Sequence, residues 1–248
     1  METDVLVIGA GLAGCSAALA AAKSGLNVTV LTRENEFTES SSYYAQGGII
    51  YKAVDDTLDV LLDDFQQTGA GLVNEKSVKQ IYRDGPGLIE EILINDLNIP
   101  FNRTEKGELD LTYEAAHSKP RIIHVNDSTG KSIQEIFYEK LKTISNIEIF
   151  TDATCVDLIT LSHHSLNPLH IYEPSTCLGA YVFFQKEDKV HPVLAKQTIL
   201  ATGGLGRIYL HTSNPGTSRG EGYAMAYRAG ARIMNMEYVQ FHPTTLFS

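Results

Sequence analysis

The stretch Val5-Leu-Val-Ile-Gly9-Ala-Gly11-Leu-Ala-Gly14, continued by the alanine-rich run Cys15–Ser24 and by Gly25-Leu-Asn-Val-Thr-Val-Leu-Thr32, decides the fold. Val5–Ile8 is a short, unbroken apolar run, as expected of a parallel strand covered on both faces. Leu12–Ser24 consists largely of strong helix formers, and Gly25 follows it as the residue that takes a left-handed C′ conformation at little cost. Asn27–Thr32 returns to β-branched and apolar residues. Strand, helix and strand within about thirty residues open a parallel α/β sheet.

The glycines sit where such a unit would hold a dinucleotide. Gly9 makes the tight turn, Gly11 lets the backbone approach a pyrophosphate, and Gly14 allows close packing of helix on strand. Ala10, Leu12 and Ala13 complete a turn whose amides, with the helix dipole, form an anion site. The end of the second strand usually carries an acidic residue for the ribose hydroxyls, but here it reads Val30-Leu-Thr32-Arg33-Glu34. Either Thr32 gives a weaker hydrogen bond there, or Glu34 reaches back. Arg33 lies beside the adenosine or a phosphate, or is simply solvated.

Further along, residues 34–50 form a polar, Ser-rich loop ending in Gly47-Gly48. Asp55–Thr68 and Glu75–Leu97 carry helical periodicity, the second interrupted at Gly85-Pro86-Gly87. Residues 98–127 make a long charged connection, long enough to mark a candidate functional loop. Gly130–Ile144 is helical. Ile147–Ile159 reads as a strand, Leu169–Phe184 as part of a small antiparallel meander, and Gln197–Leu200 as a strand returning to the main sheet. Gly220–Ala229 is a short helix, with Thr217 or Ser218 available as a cap. The expected architecture is one Rossmann-like α/β domain over residues 1–248, a parallel sheet with a small β-meander.

With 43% hydrophobic and 20% charged residues the chain is an ordinary globular sequence. A net charge of −10 disfavours nucleic acid and anionic membrane as partners. Cys15, Cys155 and Cys177 lie far apart, without the spacing of a disulfide framework or a zinc site, so no metal is expected. No basic leader or long apolar segment is present, which suggests a cytoplasmic location.

Three segments carry a resemblance to a known family. Ser40-Ser41-Ser42-Tyr43-Tyr44-Ala45-Gln46-Gly47-Gly48 resembles the flavin loop of the succinate dehydrogenase, fumarate reductase and aspartate oxidase flavoproteins. Thr198-Ile-Leu-Ala201-Thr202-Gly203-Gly204 resembles their second FAD-contacting strand. Asn214-Pro-Gly-Thr-Ser-Arg-Gly-Glu221-Gly-Tyr-Ala-Met-Ala226 resembles the segment that closes over the flavin, with Glu221 at its acidic position. The resemblance implies FAD held by Gly9–Gly14, Thr32, Arg33, Ser41–Gly48, Ala201–Gly203 and Glu221. Ser41 stands where membrane-complex members carry a flavin-linking histidine, which implies a non-covalent cofactor.

Leu111-Thr-Tyr-Glu114-Ala-Ala-His117-Ser-Lys-Pro-Arg121-Ile-Ile-His124 is similar to the aspartate oxidase form of the substrate loop, with Ala115-Ala116 where that family usually has two glycines. By that resemblance Glu114 meets a substrate ammonium, which a succinate enzyme has no use for. His117, Arg121 and His124 are equally well structural residues, Arg121 holding the loop through a neighbour, and His163-His164 reads as a polar turn. Gln240-Phe-His242-Pro-Thr244 resembles the family's active-site strand, which assigns dicarboxylate binding to His242 and Thr244 and a place near the flavin and substrate to Gln240.

The implied reaction is FAD-dependent oxidation of L-aspartate or a related C4-dicarboxylate, with oxygen or fumarate as the terminal acceptor. Fumarate reduction or succinate oxidation is the alternative, and a non-catalytic FAD-binding fragment is a third reading. The resemblance covers about the first half of a family member. The family's arginine-bearing cap and its C-terminal helical domain are not among these residues, so the cap is expected from a following reading frame or from another chain.

Overall fold

In a computed structural model, which describes residues 1–114 and 116–241, the opening apolar run forms β1 (Glu2–Ile8), with Leu6 and Val7 fully buried. α1 (Leu12–Lys23) follows, and Gly25 takes φ +80 just beyond it, as its place at C′ requires. β2 (Val28–Leu31) then pairs parallel with β1, Val5 opposite Val28 and Ile8 opposite Leu31. The chain forms two compact units. Met1–Tyr43 and Phe137–Ser248 make the first, and Tyr44–Ile136 the second.

The second unit begins with β3 (Ile49–Ile50) and continues through α2 (Leu58–Thr68), capped by the Thr57 hydroxyl, and α3 (Glu75–Leu88), capped by the Asn74 side chain. The expected interruption at Gly85-Pro86-Gly87 is not a break. α3 runs through Pro86 and then widens into a π-helical stretch, Ile89–Asp96, where the Leu97 N–H reaches back to the Ile92 carbonyl. Proline cannot donate to the preceding turn, and a change of helical register absorbs that loss without ending the helix. β4 (Ile122–Ile123), which the sequence pattern did not reveal, pairs antiparallel with β3. Two residues of each strand are too few for periodicity to register. α4 (Thr129–Lys142) closes the series, starting one residue before the expected helix.

Back in the first unit, the expected strand Ile147–Ile159 is two strands. β5 (Ile147–Phe150) joins β2 in parallel, and β6 (Ala153–Thr160) belongs to the meander. The break lies at Asp152, whose φ of +54 is a conformation that Asp tolerates better than most residues. After one helical turn at α5 (Leu161–His164), where the polar pair His163-His164 sits, Pro168–Tyr172 forms a 3-10 turn. That turn occupies the start of the stretch expected to be meander.

β7 (Cys177–Phe184) and β8 (Lys189–Leu200) complete one six-stranded sheet in the order β5-β2-β1-β8-β7-β6. β8 serves both parts of it. One edge pairs antiparallel with β7, Phe184 to Lys189 through Gly179 to Leu194; the other pairs parallel with β1, Glu2 to Leu194 through Ile8 to Leu200. Parallel sheet and meander are therefore continuous. Their shared core includes Leu6, Ile8, Leu31, Leu158, Val182, Val193 and Met225, each side chain of this size contributing about 1.5–3 kcal/mol on full burial. α6 (Glu221–Arg228) matches the expected last helix. Among the described residues no helix is long and apolar enough to cross a membrane.

Arg121 is the most deeply buried charge of the second unit, with no exposed surface. It makes two parallel bonds to Asp56, Nε to Oδ2 at 2.7 Å and Nη2 to Oδ1 at 2.8 Å, and one from Nη1 to Asp64 Oδ2 at 2.5 Å. Nη1 also donates to His117 Nδ1 at 2.9 Å, and Ser118 bonds Asp64 through both its N–H and its hydroxyl at 3.0 Å. Arg121 and His117 are thus held within the protein, the structural alternative for both. Burial alone raises the Asp64 carboxyl, but the bonds from Arg121 and Ser118 outweigh it and hold it below its ordinary value of 3.8.

The group therefore favours the folded state above that value, and the benefit is lost as pH falls below it. Arg121→Ala is expected to cost about 3–5 kcal/mol in urea unfolding at neutral pH, because it leaves two buried carboxylates without the cation that compensates them. In the unsubstituted chain, the unfolding midpoint is expected to hold down to roughly pH 4 and then fall.

Candidate functional site

The carboxyl ends of β2, β1 and β8 open onto a cleft of about 540 Å³ in the first unit, the place where open α/β sheets bind ligands. Its floor is the turn Gly9–Ala13. Gly9 has φ +112, and a Cβ there would lie 2.3 Å from the Ala201 carbonyl oxygen, so the turn crosses the end of β8 at a distance only glycine permits. At Gly14 a Cβ would lie 1.9 Å from the Gly9 carbonyl oxygen, which is the close helix-on-strand contact expected from its spacing. Gly11 caps α1 with extended backbone and no side-chain bond. The first amide of α1, that of Leu12, donates to the Ser42 hydroxyl at 3.1 Å.

Walls rise from that floor on several sides. Thr32 and Arg33 stand at the end of β2, and Ser40–Ser42 come from the polar loop. Ala201–Gly203 follow β8, and Glu221 and Gly222 open α6. Of the two alternatives for the missing acidic residue, Thr32 is on the wall. Glu34 instead lies 3.8 Å from Arg33 Nε, and its carbonyl accepts from Asp152 N–H. Arg33 is not merely solvated, since its Nη1 forms an ion pair with Glu221 Oε1. Both partners line the cleft, one from the end of β2 and the other from the start of α6.

Neither Thr217 nor Ser218 caps α6. Its N-cap is Gly220 at φ +79, without a side-chain bond. The Thr217 hydroxyl donates to the Glu39 carbonyl at 2.7 Å, and the Ser218 and Ser41 hydroxyls lie 3.4 Å apart. Both side chains are spent on tying the polar loop to the segment before α6, which leaves the cap to glycine.

The expected site residues divide between the two units. Gly9–Ala13, Thr32, Arg33, Ser41, Ser42, Ala201–Gly203 and Glu221 line the cleft, with Gly14 packed directly behind the turn. Tyr43 belongs to the same unit, its N–H bonded to Ser40. Tyr44–Gly48 and Glu114 belong to the second unit, where Glu114 Oε1 accepts the Gly48 N–H at 2.9 Å and the Ala45 carbonyl accepts from Gly130. His124 Nε2 lies 3.8 Å from Asp110. Gln240 is exposed on the stretch after α6 and is not on the cleft wall. His242 and Thr244 lie outside the described residues.

The sequence pattern missed the wall formed by Ala153, Thr154 and Cys155, because it ran β5 and β6 together. The signal available was Asp152, a residue at home in left-handed turns. Burial pushes the Cys155 thiol up to about 12, and Asp157 and Cys177 add to the effect while Arg228 opposes it. None of Cys15, Cys155 and Cys177 is in a disulfide, and the described residues contain no cluster able to hold a metal.

A sheet whose parallel central strand ends in a glycine-rich turn, over a cleft of this size, defines a dinucleotide-binding domain. The chain belongs to the FAD-binding domain family, whose profile matches residues 4–248. Its cofactor is FAD, and the turn fits that group: at Gly9 and Gly14 side chains are excluded by backbone, and Gly11 presents bare backbone to the cleft. The chain is 40% identical over 247 residues to an L-aspartate oxidase of Acinetobacter baylyi, a match covering 98% of this chain and 44% of that protein. It is 39% identical to an L-aspartate oxidase of Halobacterium salinarum, covering 98% and 45%. The chain thus spans less than half the length of these relatives.

Among solved structures, it matches a chain of the Mycobacterium smegmatis Sdh1 complex at 28% identity and a TM-score of 0.84, covering 98% of this chain and 41% of that one. E. coli quinol fumarate reductase shares the fold at a TM-score of 0.81 and 22% identity, covering 92% and 37%.

Gly14→Ala is expected to destabilise the chain by about 3 kcal/mol or more, because the new methyl meets backbone that cannot move aside. Urea unfolding and FAD uptake should both report it. Cys155 should react with thiol reagents at pH 8 far more slowly than an unperturbed cysteine, as mass spectrometry after alkylation would record, since the thiolate is the nucleophile.

Proposed function

We propose that this chain supplies the FAD-binding part of an L-aspartate oxidase, which oxidises L-aspartate to iminoaspartate at the head of the route to quinolinate and NAD. The observation that carries this reading is the 40% identity to an L-aspartate oxidase along nearly the whole chain. When bound, FAD supplies the two-electron acceptor, and oxygen or fumarate takes the electrons onward.

The chain's own residues bind and orient. The Gly9–Gly14 turn and the N-terminus of α1 hold the pyrophosphate, Thr32 and Arg33 flank the adenosine, and Ala201–Gly203 pass close beside the dinucleotide. Glu221 and the loop Ser41–Gly48 complete the cradle. With Ser41 at the position of the flavin-linking histidine, the cofactor is held without a covalent bond. Glu114 attracts the substrate ammonium, His242 and Thr244 donate to the substrate carboxylates, and Gln240 lies near the flavin and substrate. The cap found in longer family members, with its arginine, comes from outside these residues. The location is the cytoplasm.

A second reading, a succinate-oxidising or fumarate-reducing flavoprotein, is favoured by the likeness to the Sdh1 complex. A non-catalytic FAD-binding fragment is a third. The three are separated by the visible spectrum of the purified chain after excess FAD and desalting, followed by anaerobic addition of L-aspartate or succinate. Aspartate oxidation predicts an acid-releasable flavin spectrum that bleaches with aspartate and not with succinate. Bleaching by succinate instead supports the second reading, and retained flavin that neither substrate bleaches supports the third.

A further inference from the structure

Backbone bonds fix Thr112 before Glu114 and His117 after it. Before it, Thr112 exchanges two backbone bonds with Ile122, at 2.9 and 3.3 Å. After it, His117 N–H returns to the Glu114 carbonyl at 3.1 Å, and Ser118 is fixed to Asp64 in the Arg121 cluster. Ala116, between them, sits at φ +69, a conformation that a side-chain-bearing residue adopts only when its surroundings impose it. The carboxylate on this braced arm accepts the Gly48 N–H at 2.9 Å through Oε1, and among the described residues Oε2 accepts no bond.

The receiving backbone is shaped for that contact. A Cβ at Gly47 would lie 2.8 Å from Oε1, so the lack of a side chain there is what admits the carboxylate. A Cβ at Gly48 would lie 2.2 Å from Ile122 Cγ2 and 2.4 Å from the Ile123 carbonyl oxygen. Gly48 is thus pressed against β4 on one side and tied to Glu114 by its N–H.

We propose that Glu114 is a positioning residue for the Gly47-Gly48 backbone, one carboxylate oxygen fixing that turn of the flavin loop while the other remains open for a substrate ammonium. This rests on the assignment of Ser41–Gly48 as the flavin loop. It separates two properties of one side chain, an acceptor at Oε1 and a negative charge. Glutamine keeps the first and loses the second, and alanine loses both.

The test is FAD binding by the full chain, followed by quenching of flavin fluorescence, for the unsubstituted protein, Glu114→Gln and Glu114→Ala. Loss of a backbone bond to a carboxylate should weaken FAD binding roughly 5- to 20-fold in Glu114→Ala, while Glu114→Gln stays within about threefold. The visible circular dichroism band of the bound flavin should change in Glu114→Ala and be kept in Glu114→Gln, with the thermal midpoint of the FAD-free chain alike in all three.

Equal FAD affinity in all three chains would overturn the proposal and leave Glu114 to the substrate alone. It also fails if Glu114→Gln binds as weakly as Glu114→Ala, since charge and not the acceptor position would then matter. A lowered midpoint of FAD-free Glu114→Ala that accounts for its weaker binding would reduce the residue to general stability and count against the proposal as well. If the unsubstituted chain takes up no FAD, the flavin-loop assignment falls first, and this inference with it.

Discussion

Strand β1 is hydrogen-bonded along both edges, to β2 through Val5–Ile8 and to β8 through Glu2–Ile8, and the first unit takes its geometry from that double pairing. Only its second half, Val5–Ile8, is also covered on both faces, and there every residue is apolar. Its end is fixed on both sides as well. Gly9 N–H bonds the Leu31 carbonyl of β2, and the Ala201 N–H that follows β8 bonds the Ile8 carbonyl. The turn that begins at Gly9 therefore starts from a point with no freedom, and α1 leaves it at an angle set by the contact of Gly14 with the Gly9 carbonyl. Pre-organised amides at the N-terminus of α1 are the consequence, and they are what a pyrophosphate requires.

β8 extends the same constraint to the meander. Because one strand pairs with β1 along one edge and β7 along the other, β7 and β6 cannot shift without moving β1. β6 then brings Thr154 and Cys155 to the cleft, and α6 packs over the sheet through Met225. At the foot of α6, a Cβ on Gly222 would lie 1.9 Å from Thr202 Oγ1, which ties the helix start to the end of β8. Arg33, after the end of β2, and Glu221, at the start of α6, pair with each other. Each is partly exposed, so the pair contributes modestly to stability and chiefly orders the side chains that line the cleft.

In the second unit the organising element is ionic. Arg121 satisfies two carboxylates and a histidine nitrogen with no contact to solvent, and Ser118 adds two donors to Asp64. Such a network stabilises only when every member is paired, and it specifies one arrangement of its loop. The long connection of residues 98–127 is thus neither loose nor regular: short backbone pairings and a buried charge cluster shape it.

The sequence by itself determined the opening β1-α1-β2 unit, the purpose of its three glycines, the helix at α6 and the flavoprotein family. These are local patterns: an apolar run, a helix closed by glycine, and a fixed glycine spacing. Only the tertiary structure decided that Ile147–Ile159 is two strands in different parts of one sheet, that Pro86 lies inside a helix, and that β8 joins meander and parallel sheet. It likewise decided that Arg121 pairs with Asp56 and Asp64 rather than standing free, and that Arg33 meets Glu221. Each of these depends on residues tens to nearly two hundred positions apart, or on whether a neighbour can accommodate a changed register. Local spacing carries no record of either, because such contacts exist only once the chain has been brought together.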